Sequence, residues 1–172
     1  MDTTRSDNIV REFLAKNVPF QRKVLVFGGE FSAPPEIVFR QFCPSREADW
    51  INGWTVDLIY TETGYAEPLC VFRTPASNSV GAGLWMLTRV EPNRVVEAVM
   101  FQEDNHVLEH MRLDLVDLGN DKTKVTWTIT MTALSEKGNT VIAMIPDETP
   151  AFVGDLEHFL THGKMRELAS VF

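Results

Sequence analysis

The chain has little of what makes most functions easy to read. It holds two cysteines in 172 residues, Cys43 and Cys70. They fit no zinc spacing and no disulfide framework, and both read as buried free thiols of a cytoplasmic chain. No apolar run approaches the ~18 residues of a membrane span, so membrane insertion is not expected. The opening MDTTRSDNIVREFL is charged and lacks the apolar core of a secretory signal. Positive charge is also scarce. Sixteen Lys and Arg stand against 24 Asp and Glu, a net charge of −8. Nucleic acid and anionic membrane surfaces are therefore poor partners, because their binders need clustered basic residues. Neither GxGxxG nor GxxxxGK[ST] occurs, which removes dinucleotide and P-loop nucleotide binding. HExxH is absent too. The four histidines, His106, His110, His158 and His162, read as surface residues rather than a ligand set. No metal and no cofactor is expected. No cysteine or serine nucleophile has a visible histidine partner.

What is present is a soluble composition, 44% hydrophobic and 23% charged, at the length of one domain. Residues 1–20 read as a helical arm, with Ile9, Val10, Phe13 and Leu14 on one side and Val18-Pro19 as its stop. Residues 21–172 read as the folded domain. Arg22–Phe31 is a strand in which Gly28-Gly29 predicts a bulge or bend. Pro35 starts a short helix that stops near Cys43-Pro44, and Ser45 can cap a second short helix through Trp50. From Thr55 onward strand follows strand. Val56, Leu58 and Tyr60 alternate inward. Leu84–Val90 and Val95–Gln102 are apolar enough to be central strands. Lys124–Leu134 alternates most cleanly: Val125, Trp127, Ile129, Met131 and Ala133 on one side, four threonines on the other. Ser135 then caps a short helix ended by Pro146.

The final element organises the rest. Thr149-Pro150 reads as an N-cap with proline at the first helical position. Phe152, Leu156, Phe159, Leu160 and Gly163 share one face up to about Leu168. Such a helix would be roughly 28 Å long. Gly163 serves equally as a close-packing position within it or as its cap. One long helix with one apolar face needs a sheet to lie on. The fold class is therefore α+β: a curved antiparallel sheet around a C-terminal helix, with two short helices after the first strand.

Several local runs sharpen this. They are Pro35-Glu36-Ile37-Val38-Phe39, the segment Cys43-Pro44-x-x-Glu47-x-x-Trp50-x-x-Gly53-Trp54, Leu84-Trp85-Met86-Leu87-Thr88-Arg89, and Ala133-Leu134-Ser135-Glu136-Lys137-Gly138-Asn139. In these, residues 22–165 resemble the START-like, or birch-pollen-allergen-like, helix-grip superfamily (SRPBCC), in its polyketide-cyclase-like bacterial subset. That resemblance implies a cavity between sheet and helix. It does not fix an activity, since the superfamily holds carriers, cyclases, aromatases and chaperone co-factors.

The candidate ligand-binding residues are Trp54, Tyr60, Phe72, Trp85, Glu109, Met111, Trp127, Phe152, Leu156 and Phe159. The bland alternative for Trp50 and Trp54 is that both indoles simply close the core. Glu109 is the polar intruder on an inner face otherwise made of Val107, Met111, Leu113 and Leu115. A carboxyl there would have a raised pKa suited to acid–base work. The plain alternative is a strand-end carboxylate reaching water, or paired with Arg73 or Arg89. Three functions stay open: binding of a hydrophobic small molecule, whether lipid, sterol-like or aromatic; an enzyme of cyclase, aromatase or dehydratase type using Glu109; and a non-catalytic interaction module with a filled cavity, a homodimer through the N-terminal arm.

Overall fold

The computed structural model describes residues 5–15, 20–76 and 81–167. Helix α1 spans Arg5–Ala15 and β1 Arg22–Phe31. After α2 (Pro35–Arg40) and a single 3-10 turn at Glu47–Asp49 come β2 (Asp57–Tyr60), β3 (Val71–Thr74), β4 (Gly83–Glu91), β5 (Val95–Gln102), β6 (Val107–Gly119) and β7 (Lys122–Ala133). Helices α3 (Glu136–Met144) and α4 (Phe152–His162) close the order. The strands form one sheet in the order β1-β7-β6-β5-β4-β3-β2, with every neighbouring pair antiparallel. This is the expected α+β helix-grip architecture. Among the described residues, no helix is long and apolar enough to cross a membrane.

The inner face follows from period-2 patterning. Val125, Trp127, Met131 and Ala133 of β7 are buried, and β4 and β5 add Trp85, Leu87, Val96, Ala98 and Met100. Helix α4 lies over this face. Leu156 is fully buried and Val153 nearly so, while Phe152, Phe159 and Leu160 pack against the same cluster. Full burial of a leucine contributes about 1.5–3 kcal/mol. That contribution holds an eleven-residue helix that would be marginal alone.

Four local expectations are corrected. The last helix is shorter than predicted: eleven residues give about 16 Å, not 28. It starts at Phe152, and Thr149 does not cap it, because the N-cap is Ala151 without a side-chain bond. Gly163 ends it in the left-handed region, φ 67°, with its N–H donating to the Phe159 carbonyl at 2.7 Å. The second short helix is only one 3-10 turn. Ser45 does not cap it, and instead donates to the Gly64 carbonyl.

The third correction is Gly28-Gly29. Strands β1 and β7 pair without a register shift from Arg22 to Phe31, so there is no bulge. The glycines answer to close approach instead. A Cβ on Gly28 would meet the Val125 carbonyl oxygen at 2.3 Å, and one on Gly29 would crowd Val153 of α4 at 3.1 Å. Gly28→Ala is expected to destabilise the fold by about 1–3 kcal/mol in urea unfolding. An unchanged midpoint would contradict this contact.

The fourth correction is Tyr60, which is 56% exposed. Leu58 pairs with the inward Phe72, but the register shifts between Leu58 and Tyr60, so Tyr60 pairs with Val71. A one-residue slip sends a side chain to the other face. Strand β2 is also an edge strand of four exposed residues.

Candidate functional site

Between the sheet and α4 lies a cavity of about 60 Å³, and half of its fourteen lining residues are aromatic. Its apolar floor includes Val96 of β5 and Met111 and Leu113 of β6, and its aromatic walls come from four places. Helix α4 supplies Phe152. Strand β7 supplies Trp127, in ring contact with Phe152 at 5.9 Å. Strands β3 and β4 supply Phe72 and Trp85, stacked at 5.7 Å and 5°. The segment after α2 supplies Phe42, Glu47, Trp50 and Trp54.

That segment is fixed by its own hydrogen bonds. The Trp50 indole N–H donates to the Gln41 carbonyl at 3.0 Å, and that of Trp54 to the Pro44 carbonyl at 2.8 Å. Trp85 donates to the Thr74 hydroxyl at 3.0 Å. Trp127 alone of the four has no acceptor among the described residues. Buried indoles with satisfied N–H groups are rigid apolar walls. The bland and functional readings of Trp50 and Trp54 therefore coincide: both close the core, and both face the cavity. The β2–β3 loop buttresses the segment through Ser45 and is itself tied by Glu67. This carboxylate accepts from the Thr61 and Thr63 hydroxyls at 2.8 and 2.7 Å and from the Glu62 backbone N–H. Those bonds hold its pKa down to about 2. The tie is present above the ordinary carboxylate range and is lost as pH falls towards 2.

Of the candidates read from sequence, Trp54, Phe72, Trp85, Met111, Trp127 and Phe152 line the cavity. Leu156 and Phe159 belong to the core behind it. Tyr60 is outside altogether. Glu109 is on the inner face, between Met100 of β5 and Met131 of β7 in register, but it does not line the cavity. It makes no ion pair or hydrogen bond with any described residue. Arg89 is engaged elsewhere, with Glu91 and Glu97. The residue as a whole is only partly covered, yet burial of its carboxyl raises the pKa to about 7.

Glu47 is the group that sequence reasoning missed. Among the described residues it is the only ionisable side chain lining the cavity. The residue as a whole is only partly covered, but its carboxyl has no partner among the described residues, and burial of that group raises its pKa well above 4.5. It lies on a short irregular turn with no periodicity, so no face could be assigned to it beforehand. The pattern Glu47-x-x-Trp50 was the available signal.

Of the other polar groups, Gln41 Oε1 is buried with no hydrogen-bond partner among the described residues. The Ser135 hydroxyl lies 2.7 Å from His106 Nδ1, and Asp104 lies 3.9 Å from His106 Nε2. Ser135 also accepts the Gly138 N–H at 3.1 Å, so it is the N-cap of α3 and not a free nucleophile. His158 and His162 are four apart on α4 and stack at 4.3 Å. Among the described residues no group of three or more His, Cys, Asp or Glu could hold a metal ion.

No family model and no curated protein matches the chain. Solved structures do. Norcoclaurine synthase from Thalictrum flavum, in complex with dopamine and hydroxybenzaldehyde, superposes at TM-score 0.65 and 13% identity, over 96% of this chain and 98% of that one. Ara h 8.0201 superposes at 0.55 and 11% identity, over 82% and 99%. An uncharacterised protein from Rhizobium leguminosarum gives 0.55 and 18% identity, over 83% and 96%. At these identities the likeness is one of fold, and the fold is the helix-grip one.

Proposed function

We propose that this helix-grip chain binds a small aromatic molecule in the cavity between its sheet and α4. The observation that carries the reading is a cavity whose walls are half aromatic, with one carboxyl among otherwise apolar neighbours. Flat rings suit such walls, because aromatic pairs gain about 0.5–1.5 kcal/mol beyond area burial. The volume of about 60 Å³ disfavours sterols and long acyl chains. Sites for drug-sized ligands start near ~300 Å³, and ~150 Å³ already admits benzene. Entry of a whole ring therefore requires α4, rather than the hydrogen-bonded segment around Trp50, to yield outward. The similar fold of norcoclaurine synthase, solved in complex with dopamine and hydroxybenzaldehyde, supports an aromatic occupant.

Toluene is a direct probe. Calorimetric titration is expected to give saturable binding to the wild type. Leu87→Phe, which fills space at the cavity wall, should bind at least tenfold more weakly while still unfolding cooperatively. Equal binding by both proteins would overturn the reading.

A second reading is an enzyme of cyclase, aromatase or dehydratase type, as in the polyketide-cyclase-like subset. The observation in its favour is Glu109, an unpartnered inner-face carboxyl with pKa about 7, close to the working range of a general acid or base. It lies two residues from the lining residue Met111, so a ligand extending along β6 would reach it. The third is self-association through residues 1–20. Here Ile9, Val10, Phe13 and Leu14 of α1 are 55–73% exposed. Deleting the arm and measuring mass in solution tests that use. An unchanged oligomeric state would end it.

A further inference from the structure

We propose that the molecule taken by this cavity carries a compact organic cation, an alkylated ammonium group, and that Glu47 is its counter-ion. The inference rests on the reading that the cavity binds a small molecule at all, and adds the chemical class. Three observations carry it.

First, among the described residues Glu47 is the one ionisable side chain on the wall, and no Lys, Arg or His lines the cavity with it. The neighbouring Arg46 faces Asp49 at 3.7 Å and not the carboxyl of Glu47. A carboxyl that lines an apolar cavity without a partner is costly to ionise, and a ligand cation supplies the missing charge. Second, seven aromatic residues surround the space. Ring faces carry negative partial charge and attract an onium group. A carboxylate and a set of ring faces favour the same sign of ligand. An anionic ligand would find no basic group among the described lining residues. Three of the four indole donors are already bound to protein acceptors. Third, the net charge of −8 raises the local concentration of cations around the molecule. The small volume suits a compact head group better than an extended one. The shift of the Glu47 pKa, caused by burial with no charged neighbour contributing, agrees with a site that waits for a counter-charge.

The test compares phenyltrimethylammonium with tert-butylbenzene, its uncharged isostere, by calorimetric titration into the full chain. Wild type is expected to bind the cation at least tenfold more tightly. In Glu47→Gln that preference should vanish, with tert-butylbenzene affinity kept within twofold. The kept affinity shows that the cavity is intact. If wild type binds the neutral isostere as tightly as the cation, the counter-ion assignment is wrong while the cavity reading survives. The assignment fails equally if Glu47→Gln keeps the preference. If neither probe binds wild type, both fail.

Discussion

At pH 8 the Glu109→Gln protein is expected to be more stable than wild type by about 3 kcal/mol, and at pH 4 the two are expected to match. The sign follows from the direction of the shift. Burial raises the Glu109 pKa from 4.5 to about 7. Between those values the unfolded chain has released its proton and the folded chain has kept it. Stability therefore falls as pH rises through this window, by about 1.4 kcal/mol per unit. Above pH 7 the folded protein carries an ionised, unpartnered carboxylate among Met100 and Met131. Glutamine removes that charge at nearly constant shape. Glu47 shifts in the same direction but is present in both proteins, so it cancels in the comparison. Urea unfolding at half-unit steps from pH 4 to 9 measures the difference. A wild type as stable as Glu109→Gln at pH 8 would mean that the carboxylate finds a partner, and its acid–base role would lose its basis.

Trp127→Ala is expected to cost about 3–5 kcal/mol, among the largest effects of a single substitution in this chain. Trp127 is 3% exposed and meets four other rings. Phe27 stacks on it at 5.6 Å, and Phe42, Phe31 and Phe152 approach it at 5.4, 6.1 and 5.9 Å. These residues come from β1, the segment after α2, and α4. Removing the indole loosens every element of the grip at once. Guanidinium unfolding reads the loss, and a cost below 1 kcal/mol would show that α4 does not dock through this cluster. The size of the effect also makes Trp127→Ala a poor test of binding, since lost affinity would follow from lost packing.

How much of this is legible in the sequence depends on periodicity. The alternation along Lys124–Leu134 places Trp127 inward, and the same rule places Glu109, Met111 and Trp85 on the inner face. The apolar stripe Phe152, Leu156, Phe159 and Leu160 marks the gripped helix. The rule fails where the backbone leaves regular geometry. A bulge after Leu58 turns Tyr60 out to solvent. Thr149-Pro150 carries a cap signal, but the cap falls just downstream at Ala151. Gly28 looks like a bend, although its use is the approach of the Val125 carbonyl, a tertiary contact that local sequence does not encode. Glu47 lies on a turn without a face, and only the folded chain brings its carboxyl beside rings from β3, β4, β7 and α4. Gly163 is ambiguous until its positive φ makes it a cap.

A small aromatic molecule in the space between Trp50, Trp54, Trp85 and Trp127 would touch all four indoles. The four indole N–H resonances report on it directly in ¹H–¹⁵N spectra recorded during titration with toluene. Saturable shifts are expected, largest at Trp127, whose N–H lacks an acceptor among the described residues, together with unchanged amides in α1 and along the outer threonines of β7. Toluene binding that leaves all four indoles unmoved and shifts those outer positions instead would contradict it.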